Sequence, residues 1–216
     1  VTAVSPINEP QWAWQGGQEG CHFTTKETVN LYNAFLSEMK SRGCAYKLSM
    51  FESGQPTGDA FENYLDAIME DKTLSSYFDT VGTHSYWANK GSLEKTRKYL
   101  KKNYKNLSVE STEWCQMVNG NGKDDSISSA LVLANTVNDD LTILNSVSWS
   151  YWIAVSSYDY KDGLIYVNRD DHTYEVTKRF YALGNYSKFV DKGMVRVDTD
   201  LAKNISSYVS SSAYYK

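Results

Sequence analysis

No stretch of this 216-residue sequence approaches the roughly 20 consecutive apolar residues that a membrane-spanning helix requires. Clustered basic charge is missing too: the 22 Lys and Arg are scattered, and the net charge is −4. Together these argue against nucleic acid or an anionic membrane as the main partner. Cysteine is scarce, with Cys21, Cys44 and Cys115 alone, so at least one stays unpaired within the chain. None has a second Cys or a His at zinc-ligand spacing, and the neighbours Cys21 and His22 cannot build a site by themselves. No signal peptide is visible, but the chain opens on Val1 inside what reads as a strand, so trimming at the N-terminus is expected.

Aromatic residues are the surplus, at 14% with 17 Tyr and 6 Trp, in an otherwise ordinary composition of 41% hydrophobic and 22% charged residues. Flat rings suit sugars, whose CH faces pack on them while their hydroxyls need polar neighbours; a Tyr-rich core and surface is the plainer explanation for most of them. Asn106-Leu-Ser108, Asn185-Tyr-Ser187 and Asn204-Ile-Ser206 are glycosylation sequons. They permit a secreted or otherwise extracytoplasmic location without requiring it.

Periodicity divides the chain into alternating strands and helices. A short apolar run ends at Pro6 and is followed by Asn8-Glu9-Pro10 and then Trp12 and Trp14. Thr24 or Thr25 caps a helix carrying Val29, Tyr32, Leu36 and Met39, which Gly43 ends. Tyr46–Phe51 reads as a strand, Phe61–Met69 as a helix, Phe78–Thr83 as a strand, Leu93–Lys102 as a helix, and Leu107 onward as a strand reaching Glu113. A helix from Ile127 to Val137, a strand over Ser146–Ile153, a loop through Asp162-Gly163 and a helix over Glu175–Phe189 follow; Val195–Val197 then alternates like a half-exposed strand. Strands alternating with helices at this spacing imply a parallel sheet with helical crossovers. Five such units are present where a closed (β/α)8 barrel needs eight.

The chemistry-bearing residues fall just after strands, on what would be the catalytic face of such a barrel. Asn8-Glu9, His84 with Tyr86, Glu113-Trp114 and Trp149 to Trp152 each sit at a strand end. Two carboxyl groups brought into one pocket serve glycosidic-bond cleavage, one held protonated and the other ionised. Glu110 is the rival to Glu113. It lies three residues earlier, an odd offset that turns it to the opposite face of an extended strand, so Glu113 is preferred. Glu19 and Glu52 are candidates at the pocket edge, and Trp12, Trp14 and Trp87 for outer subsites or loop packing.

At this point the sequence resembles glycoside hydrolase family 30, and most of all its endo-β-1,6-galactanase branch. SPINEPQW with QEGC is similar to the family's acid/base segment, Ser111-Thr-Glu-Trp-Cys115 to its nucleophile segment, and Gly82-Thr-His-Ser-Tyr86 to its sixth barrel strand. Ser150-Tyr-Trp152 resembles strand eight, and Arg179 to Tyr186 the last barrel helix. The resemblance implies a retaining endo-glycosidase in which Glu9 is the acid/base and Glu113 the nucleophile. It further implies that Asn8 binds the sugar 2-hydroxyl, that His84 and Tyr86 line the pocket beside the nucleophile, and that Trp152 is a stacking platform.

The fold so implied is a TIM-type (β/α)8 barrel of which residues 1–193 supply strands four to eight, with residues 194–216 beginning an accessory β-sandwich. The missing strands would come from residues outside this sequence or from another chain. Neither a metal nor an organic cofactor is expected, because two carboxylates supply both proton and nucleophile. The expected substrate is a β-linked polysaccharide, β-1,6-galactan first; xylan, β-1,6-glucan, a glucosylceramide-type glycoside, or carbohydrate binding without turnover are the alternatives. Cysteine pairing stays open, a Cys21–Cys115 bridge being one option.

Overall fold

A computed structural model describes residues 3–15, 20–117, 122–206 and 208–216. In chain order the elements are β1 (Ala3–Val4), α1 (Thr25–Ser41), β2 (Lys47–Leu48), α2 (Asp59–Glu70), α3 (Lys72–Tyr77), β3 (Thr80–His84), α4 (Lys90–Asn103), β4 (Ser108–Glu113), α5 (Ile127–Asp139), β5 (Ser148–Trp149), β6 (Val155–Ser156), β7 (Ile165–Val167), β8 (Tyr174–Val176), α6 (Lys178–Ser187), β9 (Val195–Val197) and β10 (Ala213–Tyr215). A π-helical turn, Asp140–Leu144, extends α5. The chain divides into two compact units, one of residues 1–113 and 143–150, the other of residues 114–142 and 151–216.

The first unit is α/β with parallel strand pairing throughout. β1 pairs with β2, β3 with β4 and β4 with β5, all parallel. A single bridge between Ser53 and Thr83, with Gly82 N–H donating to the Met50 carbonyl and His84 N–H to that of Ser53, ties the segment after β2 to β3. Strands thus neighbour one another in sequence order, as helical crossovers of one hand require. Local chemistry sets each helix. Thr24 and Glu27 form a capping box at the start of α1, and Gly43 at φ +62° lies just past its end. α4 has its own box from Asn89 and Ser92.

The helices cover one face of this sheet. Tyr32 and Leu36 of α1, Phe61, Leu65 and Ile68 of α2, and Leu93 and Leu100 of α4 pack with Met50, Val81 and Val109 in one apolar cluster. Val81 and Val109 therefore point to the helices, which leaves Gly82 and Glu110, one position on in each strand, for the opposite face.

In the second unit α5 packs on α6, and Ala130, Leu133 and Val137 are buried. β6 pairs parallel with β7, which pairs antiparallel with β8. Arg179 organises this unit from a fully buried position. It donates to the Asp124 carbonyl and the Ser129 hydroxyl through Nη1, and to the Gly163 carbonyl and the Tyr166 hydroxyl through Nη2, both at 3.0 Å. The β6–β8 sheet lies where the sequence reads a loop and, at Glu175 and Val176, the start of the last helix, since strands of two and three residues are too short to show a period. β9 and β10 form an antiparallel pair, Val197 opposite Ala213 and Val195 opposite Tyr215.

Candidate active site

All groups of the candidate site belong to the first unit and leave it from the C-terminal ends of consecutive strands. Glu9 follows β1, Glu52 follows β2, His84 ends β3 and Glu113 ends β4. In a flat sheet the axes of β1 and β4 would lie about 14 Å apart, three strand spacings. Yet an oxygen of Glu9, an oxygen of Glu113 and a ring nitrogen of His84 all lie within 4.8 Å of one another. The sheet curls, and the side chains converge on its concave face.

His84 stands at the centre and is almost fully buried. Its Nδ1 lies 2.7 Å from Oε1 of Glu9 and 3.7 Å from Oε1 of Glu113, while Nε2 lies 3.9 Å from Oε2 of Glu52. The Tyr86 hydroxyl donates to Oε1 of Glu113 at 2.9 Å, and the Tyr86 ring meets the His84 ring edge to face. Burial pushes the Glu113 carboxyl above its ordinary 4.5, with the neighbouring Glu9 and Glu52 adding to the rise. His84 and the Tyr86 hydrogen bond pull the other way. Among the described residues, Glu9, His84 and Glu113 are the one His/Cys/Asp/Glu group close enough to hold a metal ion.

The backbone is bent at these strand ends. Glu9 has φ +47° and Glu52 φ +44°, the left-handed region that side chains other than glycine enter at a cost of roughly 1–2 kcal/mol. The two are joined: the Glu9 N–H donates to the Glu52 carbonyl at 2.8 Å. Strain of this kind, held by its surroundings, gathers at functional sites.

Of the other candidates, Trp12 borders the cluster: a Cβ on Gly54 would lie 2.3 Å from its Nε1 and 3.0 Å from Oε1 of Glu9. Asn8 is exposed and lines a shallow pocket with Pro6, Ile7, Cys21, Phe23 and Leu31. Trp152 belongs to the second unit, where it is half exposed and its N–H donates to the Trp114 carbonyl. Trp12 and Trp87 meet edge to face, and Trp87 is largely exposed. Glu19 lies outside the described residues. No disulfide links the three cysteines, Cys21 and Cys44 being exposed and Cys115 buried, so the Cys21–Cys115 bridge does not form.

Glu110 does not sit on the face that its offset predicts. Thr83 pairs with Ser111 but His84 pairs with Glu113, so Thr112 is an extra residue, a bulge in β4. Glu110 pairs with Gly82, and a Cβ on Gly82 would point straight at the Glu52 carboxylate. Glu110 therefore shares the concave face with the cluster, lower along the strand, and the bulge brings Glu113 round to the same face. Depth separates the two acids.

Glu52, which the sequence sets at the pocket edge, lies among these side chains, with Oε2 3.9 Å from Nε2 of His84. It is buried, it accepts a hydrogen bond from the Thr112 hydroxyl, and it occupies the space left open by the missing side chain of Gly82. The usable signal was its place immediately after a strand, the same rule that selects Glu9 and Glu113.

The model of the family described as O-Glycosyl hydrolase family 30 matches residues 1–99 and 73–166. The chain belongs to this family. An endo-beta-1,6-galactanase of Hypocrea rufa is 23% identical over 201 residues, which are 89% of this family 30 chain and 37% of that protein. Among solved structures, a conserved exported protein from Bacteroides fragilis is 23% identical with a TM-score of 0.73, over 92% of this chain and 48% of that one. The family 30 subfamily 8 xylanase from Clostridium acetobutylicum is 23% identical with a TM-score of 0.72, over 100% of this chain and 48% of that one. The family 30 chain thus spans less than half the length of these relatives, and shares with the solved ones an α/β fold with parallel sheets.

Proposed function

We propose that this family 30 chain carries the catalytic residues of a retaining endo-glycosidase that hydrolyses a β-linked polysaccharide, with β-1,6-galactan as the first substrate to test. One observation carries the reading: carboxylate oxygens of Glu9 and Glu113 lie within 4.8 Å of each other. Retaining enzymes hold their two carboxyl groups about 5–5.5 Å apart, whereas inverting enzymes leave about 6.5–9.5 Å for a water. In this reading β1 to β5 are barrel strands four to eight, β9 and β10 begin a β-sandwich, and the remaining strands come from residues outside this sequence or from another chain.

The roles follow from the contacts. Glu113 attacks the anomeric carbon, and the Tyr86 hydroxyl, which donates to it, favours the ionised form a nucleophile needs. Glu9 protonates the departing glycosidic oxygen and then takes a proton from water. His84 holds Glu9 in place through its 2.7 Å contact and keeps the two acids in one pocket. Asn8, next to Glu9 in the chain, would add the 2-hydroxyl contact. The galactanase relative supports β-1,6-galactan, while the xylanase neighbour makes xylan the first alternative.

The test is proton NMR of freshly formed product on a panel of galactan, xylan and β-1,6-glucan. The proposal predicts that the β-anomer appears first and converts later to the equilibrium mixture. First appearance of the α-anomer would overturn the retaining mechanism, and cleavage of xylan alone would overturn the substrate.

The raised Glu113 carboxyl sets the pH dependence. A nucleophile must be ionised, so the acid limb of kcat/KM is expected above pH 4.5, the ordinary value of a glutamate. Tyr86→Phe removes a contact that lowers this carboxyl and moves the limb to higher pH, with about a tenfold loss of kcat/KM at neutral pH for one hydrogen bond to a charged group. An unshifted limb in Tyr86→Phe would show that the Tyr86 hydroxyl does not act on the titrating group.

A further inference from the structure

The bulge in β4 raises a question of what holds it. Thr112, the extra residue, interrupts the register with β3 just before the candidate nucleophile. An unpaired residue in a sheet leaves the ladder locally weak, so its geometry needs support from outside the strand. The Thr112 hydroxyl bonds the Glu52 carboxylate and lies 3.4 Å from the Thr83 carbonyl. Glu52 in turn is fixed on three sides. Its N–H donates to the Met50 carbonyl at 2.7 Å and its carbonyl accepts from Glu9. Its carboxylate lies against Gly82, where an added Cβ would come within 2.6 Å of Oε2.

One buried acid therefore touches both segments that deliver the candidate catalytic pair: Glu9 through its backbone, and Glu113 through the residue that precedes it. Its left-handed backbone, at φ +44°, is a conformation that Gly or Asn would enter more easily. An acid there is explained by what its side chain holds.

We infer that Glu52 is a positioning residue: it pins the Thr112 bulge and so turns Glu113 toward Glu9. The inference rests on the retaining mechanism proposed above for its kinetic readout. It concerns an acceptor oxygen and not a charge, because a hydroxyl donor needs only a lone pair to bond. Glu52→Gln keeps that oxygen, whereas Glu52→Ala and Thr112→Val each remove one end of the contact.

The experiment measures kcat and KM for these three variants of the full chain, together with the rate at which a 2-deoxy-2-fluoro glycoside labels it. A crystal structure of Glu52→Ala completes the set. The expected result is a fall in kcat of about 10–100-fold in Glu52→Ala and Thr112→Val, the size of effect that a misplaced group produces. KM changes little and labelling slows in step, while Glu52→Gln stays within about threefold of the parent. In the Glu52→Ala crystal the register shift is lost or Glu113 has left the His84 pocket.

Glu52→Gln as inactive as a Glu113 variant would overturn the inference, because Glu52 would then act by its charge or do the chemistry itself. Labelling of Glu52→Ala and Thr112→Val at the parental rate, with the bulge intact in the crystal, would overturn it as well. Failure of the underlying mechanism looks different: the parent chain itself would neither turn over nor label, and the crystal alone would then decide whether Glu52 holds the bulge.

Discussion

Glu113→Gln is expected to lower kcat by at least about 10⁴-fold on each polysaccharide of the proposed panel that is turned over, the scale seen when a nucleophile is removed. Gln matches Glu in size and can still accept the Tyr86 hydroxyl, so the fold should be retained and the loss should be chemical. Glu113→Gly opens space for azide, which should restore turnover of an activated aryl glycoside and give a glycosyl azide of inverted configuration. Wild-type turnover in either variant would remove Glu113 from the mechanism.

The same substitution has a consequence for stability that does not depend on activity. The Glu113 carboxyl is raised mainly by burial, so the folded chain holds its proton to higher pH than the unfolded chain does. Stability is therefore lost as pH rises from about 4.5 through the raised value, and stays lower above it. Glu113→Gln does not titrate and escapes that loss. It should unfold at higher denaturant than the parent at neutral pH, with the difference gone below pH 4.5. A less stable Glu113→Gln at neutral pH would mean that the hydrogen bond and the His84 contact outweigh burial.

The second large effect belongs to Glu9, and its signature is dependence on the leaving group. Glu9→Ala removes the proton that a sugar alkoxide needs in order to depart, at a cost of about 10²–10⁴-fold on a polysaccharide. A dinitrophenyl glycoside needs no such help in the first step, so its glycosylation should proceed almost unchanged. Water is then no longer activated, the covalent intermediate accumulates as a burst, and azide speeds turnover by trapping it with retained configuration. Equal losses on both substrates would show that Glu9 shapes the pocket without transferring a proton.

Much of this site is legible in the sequence because strand ends follow a simple rule. In a parallel α/β sheet the residues after each strand gather at one edge, and Glu9, His84 and Glu113 could be picked out on that ground. Side-chain parity was the weaker guide. It set Glu110 on the far face because it assumed a regular strand, and the extra residue at Thr112 breaks that assumption. Nothing in Ser-Thr-Glu announces a bulge, since the contact that fixes it comes from Glu52, 60 residues away in sequence.

The contacts of Glu52 are hidden in the sequence for a related reason. Its carboxylate meets Gly82 and Thr112, on two other strands, and no local pattern joins them. The β6–β8 sheet escaped notice because its strands are short and set among turn residues, where no period can establish itself. The helices were the most legible elements, as in α1, where the apolar stripe of Tyr32 and Leu36 and the Thr24 cap all agree.

As proposed, Glu113 is the nucleophile facing Glu9 across one pocket. The most direct measurement is peptide mass spectrometry of the chain after inactivation by a 2-deoxy-2-fluoro glycoside of the sugar it cleaves. A single sugar adduct on Glu113 is expected. An adduct on Glu110 or Glu52, or steady hydrolysis with no adduct at any acid, would contradict it.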